Sequence, residues 1–240
     1  MLQHNSSSTE SYSGILLIDK PTNKTSFSLV AALRRLLKVK KIGHAGTLDP
    51  FATGVMVLLI GKQYTRLSDQ LLCVDKEYLA QVRLGIETDS YDCDGQVTNE
   101  SPIIPSNEEL LEALAYFQGD IEQIPPMFSA KKQNGKKLYE LARQGITVER
   151  QAAKISLKTE LITYTYPFVE IRVKCSKGTY IRSIAQELGQ RLGCFGHLSA
   201  LRRTRSGSFL IENCIDGSML DMPNCDVELL SRALIKELAN

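Results

Sequence analysis

No stretch of the 240 residues approaches the roughly 18 uncharged apolar residues a spanning helix needs, and the longest apolar run, Val55 to Ile60, has the length of a buried strand. A helical membrane protein is therefore excluded. Residues 1–13 lack both a basic start and an apolar core, so they read as a flexible, Ser-rich leader rather than an export signal, and the expected compartment is the cytoplasm. Six cysteines (73, 93, 175, 194, 214 and 225) include no close pair, which fits neither a disulfide framework nor a zinc site. His4, His44 and His197 have no pairing at metal spacing, and no metal is expected. From Leu84 to Ala130 there is no Lys or Arg at all, against ten acids.

The next segment has the opposite sign. Lys131 to Lys158 holds eight basic residues (131, 132, 136, 137, 143, 150, 154 and 158) against Glu140 and Glu149. Two further basic clusters are Arg34-Arg35-Lys38-Lys40-Lys41 and Arg202-Arg203-Arg205, so a net charge of only +2 hides strong segregation. One basic cluster is usually a solvated face. Three of them beside candidate site residues point to a polyanion, and nucleic acid is the natural one.

At 43% hydrophobic content the chain can bury a full core. Residues 14–19 read as a buried strand, Thr25 to Val39 as a helix behind a Thr/Ser cap, Gly54 to Gly61 as a central strand and Tyr78 to Leu84 as an alternating one. Ser106 with Glu109 forms a capping box opening a helix to about Phe117. Residues 124–150, rich in Pro, Lys and Gly around one short helix (Lys137 to Arg143), have the composition of an insertion that arches over a ligand. Beyond it come an antiparallel pair (155–165 and 168–175) and helices over 179–192 and 227–238. Without a regular βαβ rhythm or an internal repeat, the pattern predicts α+β with a mixed, largely antiparallel sheet flanked by helices.

One carboxylate stands out. Asp49 sits in Gly43-His44-Ala45-Gly46-Thr47-Leu48-Asp49-Pro50-Phe51-Ala52-Thr53-Gly54, where three glycines permit positive φ or close backbone approach and Pro50 steers Asp49 away from the α region. An isolated Asp-Pro is usually an Asx turn. Two other motifs fail on their spacing. Between Gly54 and Gly61 lie six residues where a phosphate loop has four, with Gln63 in place of the magnesium-binding Ser or Thr. Ser90-Tyr91-Asp92-Cys93-Asp94-Gly95 begins like a calcium loop, but Ser90 and Ser101 occupy positions that need acids, so it reads as an acidic turn.

Several separated segments, in order, resemble the bacterial TruB-type tRNA pseudouridine synthases. They are residues 14–21 (GILLIDKP) with Thr25-Ser26, the 43–54 loop, Lys76-Glu77-Tyr78, 89–95, 136–145 (KKLYELARQG), 175–182 (CSKGTYIR) and Leu201-Arg202-Arg203. The resemblance implies a pseudouridine-synthase fold acting on the T-loop uridine (position 55) of tRNA, with Asp49 catalytic, Arg182 paired to it and Tyr78 and Tyr180 as pocket tyrosines. Leu201 would be a pocket wall, and His44 would enter the folded T loop near the flipped uridine. Lys20, Lys131, Lys132, Lys136 and Lys137 are the expected further substrate and RNA contacts. Isomerisation breaks and remakes a glycosidic bond, so it needs an anionic group at the sugar-base junction and a base flipped out of its loop and stacked on an aromatic face. It needs no cofactor or metal. The expected partner is the T arm of tRNA, with no membrane and no obligatory protein partner. Asn23 stands where the first motif usually has Gly. Many relatives continue into a small RNA-binding PUA domain, for which residues 206–240 are too few; the expectation is one catalytic domain over 14–240, its tail covering the core. A catalytically silent tRNA-binding or tRNA-folding module and a small-molecule enzyme with an Asp nucleophile are the alternatives.

Overall fold

The two most apolar stretches become paired strands in the computed structural model, which describes residues 12–133 and 135–237. Strand β1 (Gly14–Lys20) runs antiparallel to β3 (Thr53–Ile60), with Leu16 opposite Leu58 and Ile18 opposite Met56. Alternate residues feed two cores, Leu16, Ile18, Met56 and Leu58 on one face and Ile15, Leu17, Val55 and Val57 on the other. That is the two-residue period of a strand, and a strand covered on both faces reads as a nearly continuous apolar run. Short β2 (Ile42–His44) also pairs with β3.

The sheet grows outward from this pair through β4 (Lys76–Leu84), β7 (Gln118–Gln123), β10 (Ala153–Thr165), β11 (Phe168–Cys175), β12 (Gly196–Ser206), β13 (Phe209–Leu210) and β14 (Ile215–Asp216). Its order is β14-β1-β3-β12-β4-β11-β10-β7, antiparallel except where β14 meets β1 and β12 meets β3. Two small hairpins stand apart, β5 (Ile86–Thr88) with β6 (Val97–Glu100) and β8 (Lys132–Gln133) with β9 (Lys136–Lys137). The class is α+β, as the sequence pattern predicts.

Helix α1 (Ser26–Leu37) buries Leu29, Val30, Leu33 and Leu37, and the Thr25 hydroxyl caps it by accepting the Ser28 N–H at 3.0 Å. Helices α2 (Lys62–Thr65) and α3 (Ser68–Leu72) follow β3. Helix α4 (Asn107–Ala115) opens with the capping box, Ser106 Oγ accepting from Glu109 N at 3.2 Å and Glu109 Oε2 from Ser106 N at 2.7 Å. Helices α5 (Leu138–Ala142) and α6 (Ile181–Arg191) lie where the sequence places helices.

Two expectations need correction. Helix α7 (Val227–Arg232) stops well short of 238, because the chain turns to pair Ile235 with Ile15 through N–H to O contacts of 2.8 and 2.9 Å. Strand pairing overrides helix propensity there. The second is β12, a central strand that appears in the sequence only as a basic cluster. The tail does cover the core: β14 extends the sheet beside β1, and Leu220 and Leu230 are buried in it. Residues 1–11 of the expected leader lie outside the described residues.

Candidate active site

Every backbone carbonyl from residue 46 to 51 has a donor. Arg203 Nη2 and Nη1 reach Gly46 O and Thr47 O at 3.3 and 3.5 Å, and Ser26 Oγ reaches Leu48 O at 3.2 Å while accepting the Leu48 N–H at 3.0 Å. Ala52 N donates to Asp49 O at 3.1 Å, Lys20 Nζ to Pro50 O at 3.0 Å and Thr22 Oγ1 to Phe51 O at 3.2 Å. Each such bond contributes about 0.5–1.5 kcal/mol net. Together they set the loop, and with it the direction of the Asp49 side chain.

Behind that carboxylate stands Arg182, second residue of α6. Its Nε lies 3.0 Å from Asp49 Oδ2 and its Nη2 3.4 Å from Asp49 Oδ1. Its side chain is 7% exposed and that of Asp49 36%, so the cation is interior and the anion faces open space. Burial pushes the Asp49 carboxyl above its usual range, and Arg182 pulls it back down. The remaining Arg182 donors go to Phe128 O at 2.8 Å, Ser90 O at 3.1 Å and Asp92 Oδ2 at 3.3 Å. Asp92 is itself fixed, its Oδ1 accepting from Ser90 Oγ at 2.5 Å and Asp94 N at 3.1 Å.

Asp92 is the site residue that motif reasoning missed, because it lies in what reads as a bland acidic turn. A stretch of ten acids without one cation must find any countercharge elsewhere in the chain. That signal, joined to the lone Arg of CSKGTYIR, could have found it.

The loop, the 89–96 turn and the start of α6 line a cleft of about 660 Å³, within the roughly 300–1,000 Å³ usual for ligand pockets. Tyr78, Tyr180 and Leu201 are in its wall with Asp49 and Arg182, as are Ser129, Tyr139 and Arg143 from the 124–150 segment. Tyr78 comes from β4, 8% exposed, and burial raises its hydroxyl pKa while Arg203 lowers it. Tyr180 precedes α6 and is clamped through its backbone by the buried Gln123 amide, which accepts its N–H at 2.8 Å and donates to its carbonyl at 3.1 Å.

His44 ends β2 outside the cleft wall; its buried Nδ1 has no hydrogen-bond partner among the described residues, and burial followed by the Arg203 charge lowers its pKa. Lys20 departs from its expected role as a substrate contact. It is 0% exposed, its ammonium spent on the carbonyls of Pro21, Lys24 and Pro50, and burial pulls it down to about 8 despite the raising effect of Asp49. Lys20 holds the loop rather than facing the cleft. Lys131, Lys132 and Lys136 are exposed on the β8–β9 hairpin, outside the cleft wall. Lys137 donates to the Tyr139 hydroxyl at 3.2 Å and lies 5.3 Å from its ring centre.

The family described as TruB family pseudouridylate synthase (N terminal domain) matches residues 34–181, and the tRNA pseudouridylate synthase B C-terminal domain matches 182–234. The tRNA pseudouridine synthase B of Protochlamydia amoebophila is 68% identical over 205 residues, covering 85% of this chain and 78% of that protein. The Chlamydia felis protein of the same name is 62% identical over 219 residues, covering 91% and 93%. Among solved structures, a chain in the crystal structure of a Cbf5-Nop10-Gar1 complex superposes with a TM-score of 0.70 at 29% identity, covering 93% of this chain and 60% of its own length.

Proposed function

The chain belongs to the TruB family of pseudouridylate synthases and isomerises uridine to pseudouridine in tRNA, and from that premise we propose that it acts on the T-loop uridine at position 55 with Asp49 as the attacking group. Uridine and pseudouridine are isomers. The C1′–N1 bond breaks, the base turns, C1′–C5 forms, and the C5 proton leaves while N1 gains one. Asp49 adds either to C6 of the base or to C1′ of the sugar, and both routes need it ionised. Arg182 supplies the countercharge that keeps a half-buried carboxylate in that form.

The observation that carries this reading is the Asp49–Arg182 pair itself, with the anion turned into the cleft and the cation sealed behind it. A base within a folded loop reaches Asp49 only when flipped, at a few kcal/mol, which stacking on Tyr78 offsets by about 1–3 kcal/mol. Leu201 and Tyr180 close the sides of the pocket. The 124–150 segment holds the T arm through phosphate contacts of Lys131, Lys132, Lys136 and Lys137, and His44 meets the folded loop from beside β2. Residues 14–240 act as one catalytic unit in the cytoplasm, without metal, cofactor or obligatory protein partner.

Unmodified tRNA carrying tritium at uridine C5 tests this, since the label is lost when C1′ joins C5. Label is expected to leave intact tRNA and to stay on tRNA carrying cytidine at 55. Equal release from both would move the target elsewhere.

A further inference from the structure

Arg203 lies on β12, 1% exposed, and among the described residues no carboxylate lies within ion-pair distance of it. Its donors reach the main chain and one thioether: Nε to Val55 O at 2.7 Å, Nη1 to Thr47 O at 3.5 Å, Nη2 to Gly46 O at 3.3 Å and to Met56 Sδ at 3.4 Å. An unpaired cation is among the least favourable groups a core can hold, and an apolar side chain would fill the same space. Stability alone does not account for it.

The surrounding chain is shaped to place this guanidinium. Gly54 adopts φ +104°, and a Cβ there would stand 2.2 Å from Arg203 O and 2.6 Å from Arg203 N. Only glycine lets β12 meet β3 in the parallel register Arg203 opposite Gly54, which brings the side chain beneath residues 46 and 47. On its other side Arg203 is directly opposite Tyr78 in the antiparallel β4–β12 pair, so the two side chains share a face. A register shift after Arg203 breaks the alternation of β12 there.

We propose that Arg203 is a positioning residue for the isomerisation. Its planar fork spans β3 and the catalytic loop at once, fixes the backbone of Gly46 and Thr47, and so sets the angle at which Asp49 meets a base stacked on Tyr78. This rests on the reading of Asp49 as the attacking group. A lysine keeps the charge but donates from a single point, so it does not span Val55 O on β3 and the Gly46 and Thr47 carbonyls of the loop as the planar fork does.

The test compares wild type, Arg203→Lys, Arg203→Met and Asp49→Asn in single-turnover tritium release, tRNA binding and thermal melting. Misplacing a reacting group by an ångström can cost about a hundredfold, so Arg203→Lys is expected to be slower by about tenfold or more, with tRNA Kd within about twofold and near-native melting. Arg203→Met should be slower still. A folded Arg203→Lys turning over within about twofold of wild type, while Asp49→Asn is inactive, overturns the inference and leaves the Asp49 reading intact. An active Asp49→Asn overturns the Asp49 reading instead. If Arg203→Met fails to fold, Arg203→Lys decides alone; if neither folds, or if rate, binding and melting fall together, Arg203 serves the fold and the inference is wrong.

Discussion

Arg182 sits between two carboxylates, its Nε 3.0 Å from Asp49 Oδ2 and its Nη1 3.3 Å from Asp92 Oδ2. One cation thus serves a partly open anion and a buried one. Substituting Met for Arg182 leaves both acids facing each other without it. Losing one partner of a buried ion pair typically costs about 3–5 kcal/mol. Arg182→Met should therefore melt well below wild type and lose at least two to three orders of magnitude in turnover, roughly the loss on removing one preorganised electrostatic contact. Melting and single-turnover release check both. Wild-type turnover in a folded Arg182→Met would remove the pair from the mechanism.

Asp92→Asn is milder and more specific. Arg182 keeps Asp49, Ser90 O and Phe128 O, so the fold should persist, but one of the contacts aiming the guanidinium is weakened. We expect kcat lower by about ten- to a hundredfold with KM little changed, as for a misaligned reacting group. A change in KM alone would assign Asp92 to RNA binding instead.

Burial has two effects on pH dependence. Asp49 binds its proton more readily folded than unfolded, so between the usual 3.8 and its raised value the folded state holds the extra proton, and stability falls as pH rises through that window. Its anion is thus a stability burden at neutral pH, and Asp49→Asn should melt no lower than wild type. Lys20, lowered from 10.5 to about 8, gives the opposite pattern: the unfolded chain holds more protons between those values, so stability rises with pH there. Activity should move the other way, because a neutral amine has two N–H donors for the three carbonyls that Lys20 now serves. kcat/KM measured from pH 6 to 10 should fall above about 8, without a parallel drop in melting temperature. A flat profile would detach Lys20 from the loop's function.

Neutralising Lys131, Lys132, Lys136 and Lys137 together should weaken tRNA binding and leave single-turnover chemistry at saturating tRNA nearly unchanged, since none of the four lines the cleft. Each lost phosphate contact should reduce the slope of log K against log salt by about 0.7–0.9. An unchanged slope would show that the hairpin does not touch RNA.

The elements that carry their own signal were legible: β1 and β3 by unbroken apolar runs, α1 by its period and cap, α4 by its box. The loop holding Asp49 was legible as a fixed loop from Gly and Pro alone. Its fasteners were not, because Lys20, Ser26 and Arg203 act across up to 157 positions of sequence and show no local pattern. β12 stayed hidden for a related reason. An inward arginine and two register shifts break the alternation that marks a strand, leaving only basic residues in view. Lys20 misled in the other direction, since a lysine in a binding motif looks like a phosphate contact until its burial is known.

The most direct test of the Asp49 assignment is tritium release from C5-labelled tRNA by Asp49→Asn beside wild type, with tRNA binding measured on the same preparations. The side chains are nearly isosteric, and Arg182 keeps Asp92, so the variant should bind tRNA within about twofold of wild type and release no label above background, a loss of at least about 4 kcal/mol if the limit is a thousandfold. Release at or near the wild-type rate would contradict the account.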